Sequence, residues 1–294
     1  MPAVDPRIQL IISTNGARRN VTKLGDLLLD SYDFFEKKHA FDPGVVKCQQ
    51  FHLCLPEDKF KNKFIRRFAF SGGSIEFDHF YDSMKGISDT CYIINGEAFL
   101  NGLWAKHQHQ IEIHTGVVND LAIKDTIKIK TISGEIFDTH DLFLANGPFA
   151  KFIPTTFYHS TTLERHKSIS GGVWSAPCQL GEQSFVVTVD MSNLVYNGST
   201  QTIQIVGKSD ENAIDPDVFM GIKSNYQLFA KIVKNMPAYD KGTIYSSFRS
   251  KGRNRVPFYK SEKFGNNRVT QLCGLYKNGY TNGPFLAYDL VRNL

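Results

Sequence analysis

The stretch from Leu272 to Leu290 constrains this chain more than any other. Val269 to Tyr276 is apolar and β-prone, so it reads as a strand. Gly279 and Gly283 come next, residues that permit positive φ and close approach of the backbone to a ligand. Pro284 then stands where a first helical residue is expected, ahead of Phe285, Leu286, Ala287 and Leu290. A helix opening there aims unpaired N–H groups and its positive dipole end back into the loop. Such an end receives an anion or a polar ring edge. The plainer reading, a glycine turn capping a terminal helix, stands beside it.

The remaining chain decides between the two. Its 294 residues are 41% hydrophobic and 21% charged, enough for one large or two medium domains with a proper core. No uninterrupted apolar run is long enough to span a bilayer, and no secretory signal is evident, so a cytoplasmic protein is expected. Five scattered cysteines without a CxxC pair suit reduced thiols. A net charge of +5 admits an anionic substrate or RNA without demanding either.

In chain order, Ile8 to Ile12 reads as a strand, followed by Asn15-Gly16-Ala17-Arg18-Arg19, a turn that could hold a phosphate or simply be solvated. A helix opens at Val21 or Thr22, with Leu24, Leu27, Leu28, Ser31, Phe34 and Phe35 on one face and Lys37-Lys38 at its end. Cys48 to Leu55 reads as a strand. Residues 59–68 read as a basic helix carrying Phe60, Phe64, Ile65 and Phe68, either a solvated face or an RNA contact. Tyr92 to Ile94 is a strand, and Asn95 caps a helix bearing Phe99, Leu100, Leu103 and Trp104. His107, His109 and His114 have no familiar ligand spacing, so no metal is expected. Strands are expected at Ile111–Ile113, from Val117, at Thr126–Ile132 and, after a Ser133-Gly134 turn, at Glu135–Phe137. Asp141 to Ala145 is a continuous apolar strand that breaks into Asn146-Gly147-Pro148, the kind of strand end at which parallel sheets bind ligands. The second half is antiparallel in pattern: Ser170–Ser175, Ser184–Asp190, Thr202–Val206 and Thr243–Phe248. A long helix is expected from Asp215-Pro216 to Asn235.

Three segments together resemble one family. Asp141-Leu-Phe-Leu-Ala-Asn-Gly-Pro148 resembles the d-x-v-v-l-A-n-G strand of FAD-dependent oxidoreductases of the D-amino-acid-oxidase type. Arg249 with Pro257 eight residues on resembles their R-x-x-x-x-D-x-x-P segment. Gly274 to Pro284 resembles their flavin-binding end, G-x-x-x-x-G-x-t-x-x-P. Within that family, Leu144–Gly147 and Ser170–Pro177 are similar to a tRNA-modifying oxidase domain acting on 5-carboxymethylaminomethyl-uridine. The family's opening G-x-G-x-x-G turn does not occur, Gly72-Gly73 precede no matching helix, and Asn254 replaces the acidic residue of the arginine segment.

The resemblance implies an α/β (α+β mixed) fold: an FAD/NAD(P)-binding-type domain lacking its first βαβ unit, interleaved with an antiparallel-sheet substrate domain. The first is expected over 1–45, 90–160 and 255–294, the second over 46–89 and 161–254. It implies FAD as cofactor and oxidation of a C–N bond in a small amine or amino acid, with tRNA as a second class of partner and no membrane. Arg249 would pair with a substrate carboxylate. Gly274 belongs to the flavin-binding motif, and Asn278, Gly279, Tyr280 and Thr281 would face the flavin ring. Ala145, Asn146 and Gly147 would lie near the pyrophosphate and Val117 and Val118 near the adenine. Asn15, Gly16 and Arg18 would approach from the remaining side. A truncated or lapsed relative that no longer binds FAD, acting as a binding protein, is the alternative.

Overall fold

The computed structural model describes residues 9–13, 23–54, 73–147, 157, 163, 167–189, 192–210, 217–251, 257–273 and 279–293. It is a mixed α/β fold, as expected, and it divides into two compact units: residues 2–102 with 170–247, and residues 103–169 with 248–294.

The larger unit is built on a nine-stranded sheet. Its strands are β1 (Gln9–Ser13), β2 (Val45–Leu53), β3 (Gly73–Ile75), β4 (Met84–Asn95), β9 (Lys167–Pro177), β10 (Phe185–Val189), β11 (Ser192–Asn197), β12 (Thr202–Asp210) and β13 (Thr243–Lys251). Their order is β1-β4-β2-β10-β11-β12-β9-β13, with β3 beside β4. β2 and β10 run parallel, whereas β1·β4, β2·β4, β10·β11, β11·β12 and β12·β9 are antiparallel.

Alternation along the central strands explains why both faces are covered. Phe185, Val187 and Val189 point with Leu194, Tyr196, Ile203 and Ile205 into the main core, which also holds Phe51, Phe80 and Trp174. Val186 and Val195 point the other way, with Cys91 and Ile93. That second face also buries polar side chains, and they pair with one another. Gln50 donates to Thr188 at 2.9 Å, Gln204 donates to Ser175 at 3.1 Å and Asn197 donates to Gln9 at 3.1 Å. Gln204 and Asn197, whose oxygens also accept backbone N–H groups, so carry no large desolvation cost, whereas Gln50 Oε1 is buried without a partner among the described residues.

Helix α1 (Lys23–His39) places Tyr32 and Phe35 against Tyr92 of β4 and Phe99 of α2 (Gly96–His107). The expected cap is present: Asn95 Oδ1 accepts the Ala98 N–H at 3.1 Å. Helix α3 (Asp217–Phe229) stops six residues short of the expected Asn235. The chain beyond it pairs instead with the strand-like segment at Phe80. Phe80 bridges Val233, Tyr81 N–H reaches Ile232 O and Lys234 N–H reaches His79 O. Tertiary pairing has overridden the helical period there.

The smaller unit holds two three-stranded sheets. One is β5 (Val118–Ile123), β6 (Ile127–Thr131) and β7 (Ile136–Thr139), in that order and antiparallel. Gly134, at φ +90°, makes the expected turn between β6 and β7. The other runs β14 (Phe258–Phe264), β15 (Asn267–Cys273), β8 (Asp141–Leu144). Leu121 and Ile127 from the first sheet and Leu144 and Val269 from the second share a core with Phe157 and Leu163. Ile111–Ile113 is not a strand: residues 111–117 have no regular structure, and Ile111 and Ile113 are exposed. Helix α4 (Gly279–Arg292) closes the chain, its Leu286 and Leu290 buried. Among the described residues no helix is long and apolar enough to cross a membrane.

Candidate functional site

The site is built where two strands end side by side. β8 and β15 run parallel, with Asp141 opposite Arg268 and Leu144 opposite Gln271. Their C-terminal ends therefore face the same way, and the segments that leave them start from one edge of the sheet. The pair is anchored at its start. Arg268 N–H reaches His140 O at 2.7 Å, the Arg268 guanidinium holds Asp141 at 2.7 Å, and Asn267 Oδ1 meets His140 Nδ1 at 2.8 Å. Asn267 also donates to Lys124 O at 2.9 Å, tying this sheet to the loop between β5 and β6.

After β8 come Ala145, Asn146 and Gly147. Gly147 sits at φ +51°, a left-handed conformation that glycine adopts without strain. Asn146 Oδ1 is buried and has no hydrogen-bond partner among the described residues. After β15 comes α4, which opens at Gly279 rather than at Pro284. Pro284 thus lies inside the helix. Lacking an N–H, it gives nothing to the carbonyl of Tyr280, one turn back toward the helix start. Gly279, Tyr280 and Thr281 form the first turn, and no carboxylate occupies that turn to compete for its positive dipole.

Asn282 comes directly after them. Its side chain has no exposed surface, and neither Nδ2 nor Oδ1 has a partner among the described residues. Leaving such groups unmade costs about 1–3 kcal/mol each in a folded protein. The Asn282 amide has the donor and acceptor chemistry that an isoalloxazine edge, with its ring N–H and carbonyls, would pair with. In this structure the amide is covered by protein, so FAD would reach it only once that cover moves. Sequence reasoning misses Asn282 because it places the residue in a loop ahead of Pro284. The usable signal is the Thr281-Asn282 pair inside an otherwise apolar helix start.

The other expected site residues lie elsewhere. Val117, just before β5, and Val118, its first residue, are 60% and 37% exposed. Arg249 lies in β13 and is half-buried beside Ser250, whose buried hydroxyl has no partner among the described residues. Asn15, Gly16, Arg18, Gly274 and Asn278 fall outside the described residues, as does the basic segment 59–68. His114 contacts Glu112 at 2.9 Å and packs on the Phe137 ring edge.

No protein-family model matches the sequence, and no curated protein matches it significantly. Solved structures do. Glycine oxidase from Geobacillus kaustophilus aligns over 96% of this chain and 83% of its own, at 14% identity and a TM-score of 0.68. Iminodiacetate oxidase from a Chelativorans species aligns over 98% and 85%, at 12% identity and a TM-score of 0.70. The chain has the glycine-oxidase fold. L-α-glycerophosphate oxidase from Mycoplasma pneumoniae, a structure with FAD bound, shares this fold over 99% of the chain and 83% of its own, at 12% identity and a TM-score of 0.66.

Proposed function

We propose that this chain is an FAD-dependent oxidoreductase that oxidises a C–N bond in a small anionic amine or amino acid. The observation that carries the reading is the fold, which this chain shares over 96%, 98% and 99% of its length with glycine oxidase, iminodiacetate oxidase and L-α-glycerophosphate oxidase. Glycine and iminodiacetate carry carboxylates and glycerophosphate carries a phosphate, so an anion is what the named substrates of the three compared oxidases have in common.

When bound, FAD supplies the electron acceptance that no side chain offers. The chain supplies position and polarity. The first-turn N–H groups of α4 and the Asn282 amide would hold the polar edge of the ring, where the helix dipole favours negative charge. Gly147 would lie against the phosphate-bearing part of FAD, because its backbone can approach closely. Val117 and Val118 offer apolar surface to the adenine. Arg249 grips the substrate carboxylate through two parallel N–H donors, fixing the carbon to be oxidised. Water then hydrolyses the imine product without a dedicated acid or base from the chain.

The test is anaerobic mixing of the FAD-loaded chain with glycine, iminodiacetate and their N-alkyl relatives, read as bleaching of the flavin's visible band. Bleaching by carboxylate-bearing amines is expected, and none by the matching amines without a carboxylate. Arg249→Ala should lower kcat/KM for the carboxylates about a hundredfold, the size of a lost bidentate charged pair at about 2–3 kcal/mol. Unchanged kcat/KM would remove Arg249 from the role.

A second reading places the amine on a tRNA uridine. The Lys/Arg-rich segment 59–68 and the cluster Lys251, Arg253 and Arg255 favour it. It predicts RNA affinity that falls steeply with salt, and salt-insensitive or absent RNA binding would end it.

A further inference from the structure

Cys48 of β2 and Cys91 of β4 are directly opposed in an antiparallel register. Residues so placed have Cα atoms about 4.5–5.5 Å apart, within the span a disulfide bridges. Their sulfurs are 3.4 Å apart, in hydrogen-bond contact, and both cysteines are free thiols. They differ in access. Cys91 has no exposed surface, among Ile93, Val186 and Val195. Cys48 is partly exposed and lines an open recess of about 460 Å³ with Lys47, Gln49, Ser88, Asp89 and Thr90. A small polar oxidant reaches one sulfur and not the other.

We propose that Cys48 and Cys91 form a redox-active dithiol site whose reactant is hydrogen peroxide. In the first step the Cys48 sulfur, as thiolate, attacks one peroxide oxygen. The O–O bond breaks, an S–O bond forms, hydroxide leaves and takes up the thiol's proton as water, and Cys48 is left as a sulfenic acid. In the second, the Cys91 sulfur attacks the Cys48 sulfur. The S–O bond breaks, the S–S bond forms and a second water leaves. Two thiols are oxidised by two electrons and one peroxide is reduced to two waters. The hydrogen bond to Cys48, with burial, pushes the Cys91 thiol well up. Cys91 therefore stays protonated until the second step, in which its proton leaves with the sulfenic hydroxyl as water. The partly exposed Cys48 is the sulfur that meets peroxide. The product ties β2 to β4 at the middle of their pairing and is opened again by an external dithiol. The site stands independently of the flavin reading.

The test is thiol mapping of the full chain after brief peroxide treatment: alkylation in denaturant, digestion and mass spectrometry. The expected result is one linked peptide pair joining Cys48 to Cys91, reversed by dithiothreitol, with Cys54, Cys178 and Cys273 still alkylated. In Cys91→Ser, Cys48 should stop as a sulfenic acid captured by dimedone; in Cys48→Ser, Cys91 should capture none. Circular dichroism checks that both variants fold, and the map of the unaltered chain needs neither. Full alkylation of both cysteines after a peroxide dose that oxidises a free-thiol standard would overturn the proposal. So would linkage of Cys48 to any other cysteine.

Discussion

Asn282 has no solvent and no described partner for either end of its amide, although an asparagine can make as many as four hydrogen bonds. A side chain in that position weakens the empty fold, and it strengthens a filled one if the cofactor reaches its amide. Replacement by an apolar residue of similar shape therefore moves the two properties in opposite directions. In Asn282→Leu, the chain without cofactor should gain about 1–2 kcal/mol in urea unfolding, since the desolvation cost disappears. Its FAD dissociation constant should rise about tenfold, which is about 1.4 kcal/mol. A variant that loses stability and keeps its affinity would make Asn282 a packing residue. Arg249, by contrast, is legible from the sequence as a candidate because its spacing to Pro257 carries it. Asn282 has no such spacing and shows itself only through burial.

At the level of elements, α1 docks on β4 through a polar contact set in aromatic packing. Tyr92 donates to Glu36 at 2.6 Å, and Tyr32 lies 5.9 Å from the Tyr92 ring. Burial, with the nearby Glu36 charge, pushes the Tyr32 phenol from 10.0 up to about 12. A raised folded-state pKa contributes stability that is fully present below the unfolded value and lost as pH rises through the folded one. Urea midpoints should therefore fall between pH 10 and about 12, and Tyr32→Phe should flatten that fall. An equal slope in the variant would place the loss elsewhere.

Gly242, at the entry to β13, has φ −97°, which any residue adopts, so the glycine is there for room. A Cβ would run into the indole nitrogen of Trp174, which is buried and donates to Tyr239 O at 2.9 Å. Gly242→Ala should cost about 2–3 kcal/mol in urea unfolding, the range of an overpacked core, and a neutral result would show that Trp174 can shift. Such a clash is invisible in sequence. Helix α1 is legible because its apolar stripe repeats over about three turns, from Leu24 to Phe35. The β14–β15 hairpin escapes a reading by hydrophobic pattern, although Gly265-Asn266 signals it: Phe264 pairs with Asn267 across that two-residue loop, and Gly265 has φ +61°. Pro284 misleads because proline is commonest at a helix start, whereas here the site-facing turn extends the helix back to Gly279.

For the whole molecule, the α/β character and the strand leading to Asn146-Gly147 are readable from sequence because Leu142 to Ala145 is a continuous apolar run. Yet β8 is an edge strand with Phe143 52% exposed rather than the buried strand that run suggests. The parallel partnership of β8 with β15 is not, since pairing across more than a hundred residues leaves no local pattern. That partnership turns the C-terminal ends of both strands the same way, and the proposed FAD site rests on it. The most direct measurement is titration of the purified chain with FAD, following visible absorbance and flavin fluorescence together with the melting temperature. Saturable one-to-one binding with a perturbed flavin spectrum is expected, with a Tm that climbs with the logarithm of free FAD. An unperturbed spectrum with an unmoved Tm at saturating FAD would contradict FAD binding, and the oxidase fold would then serve a binding protein.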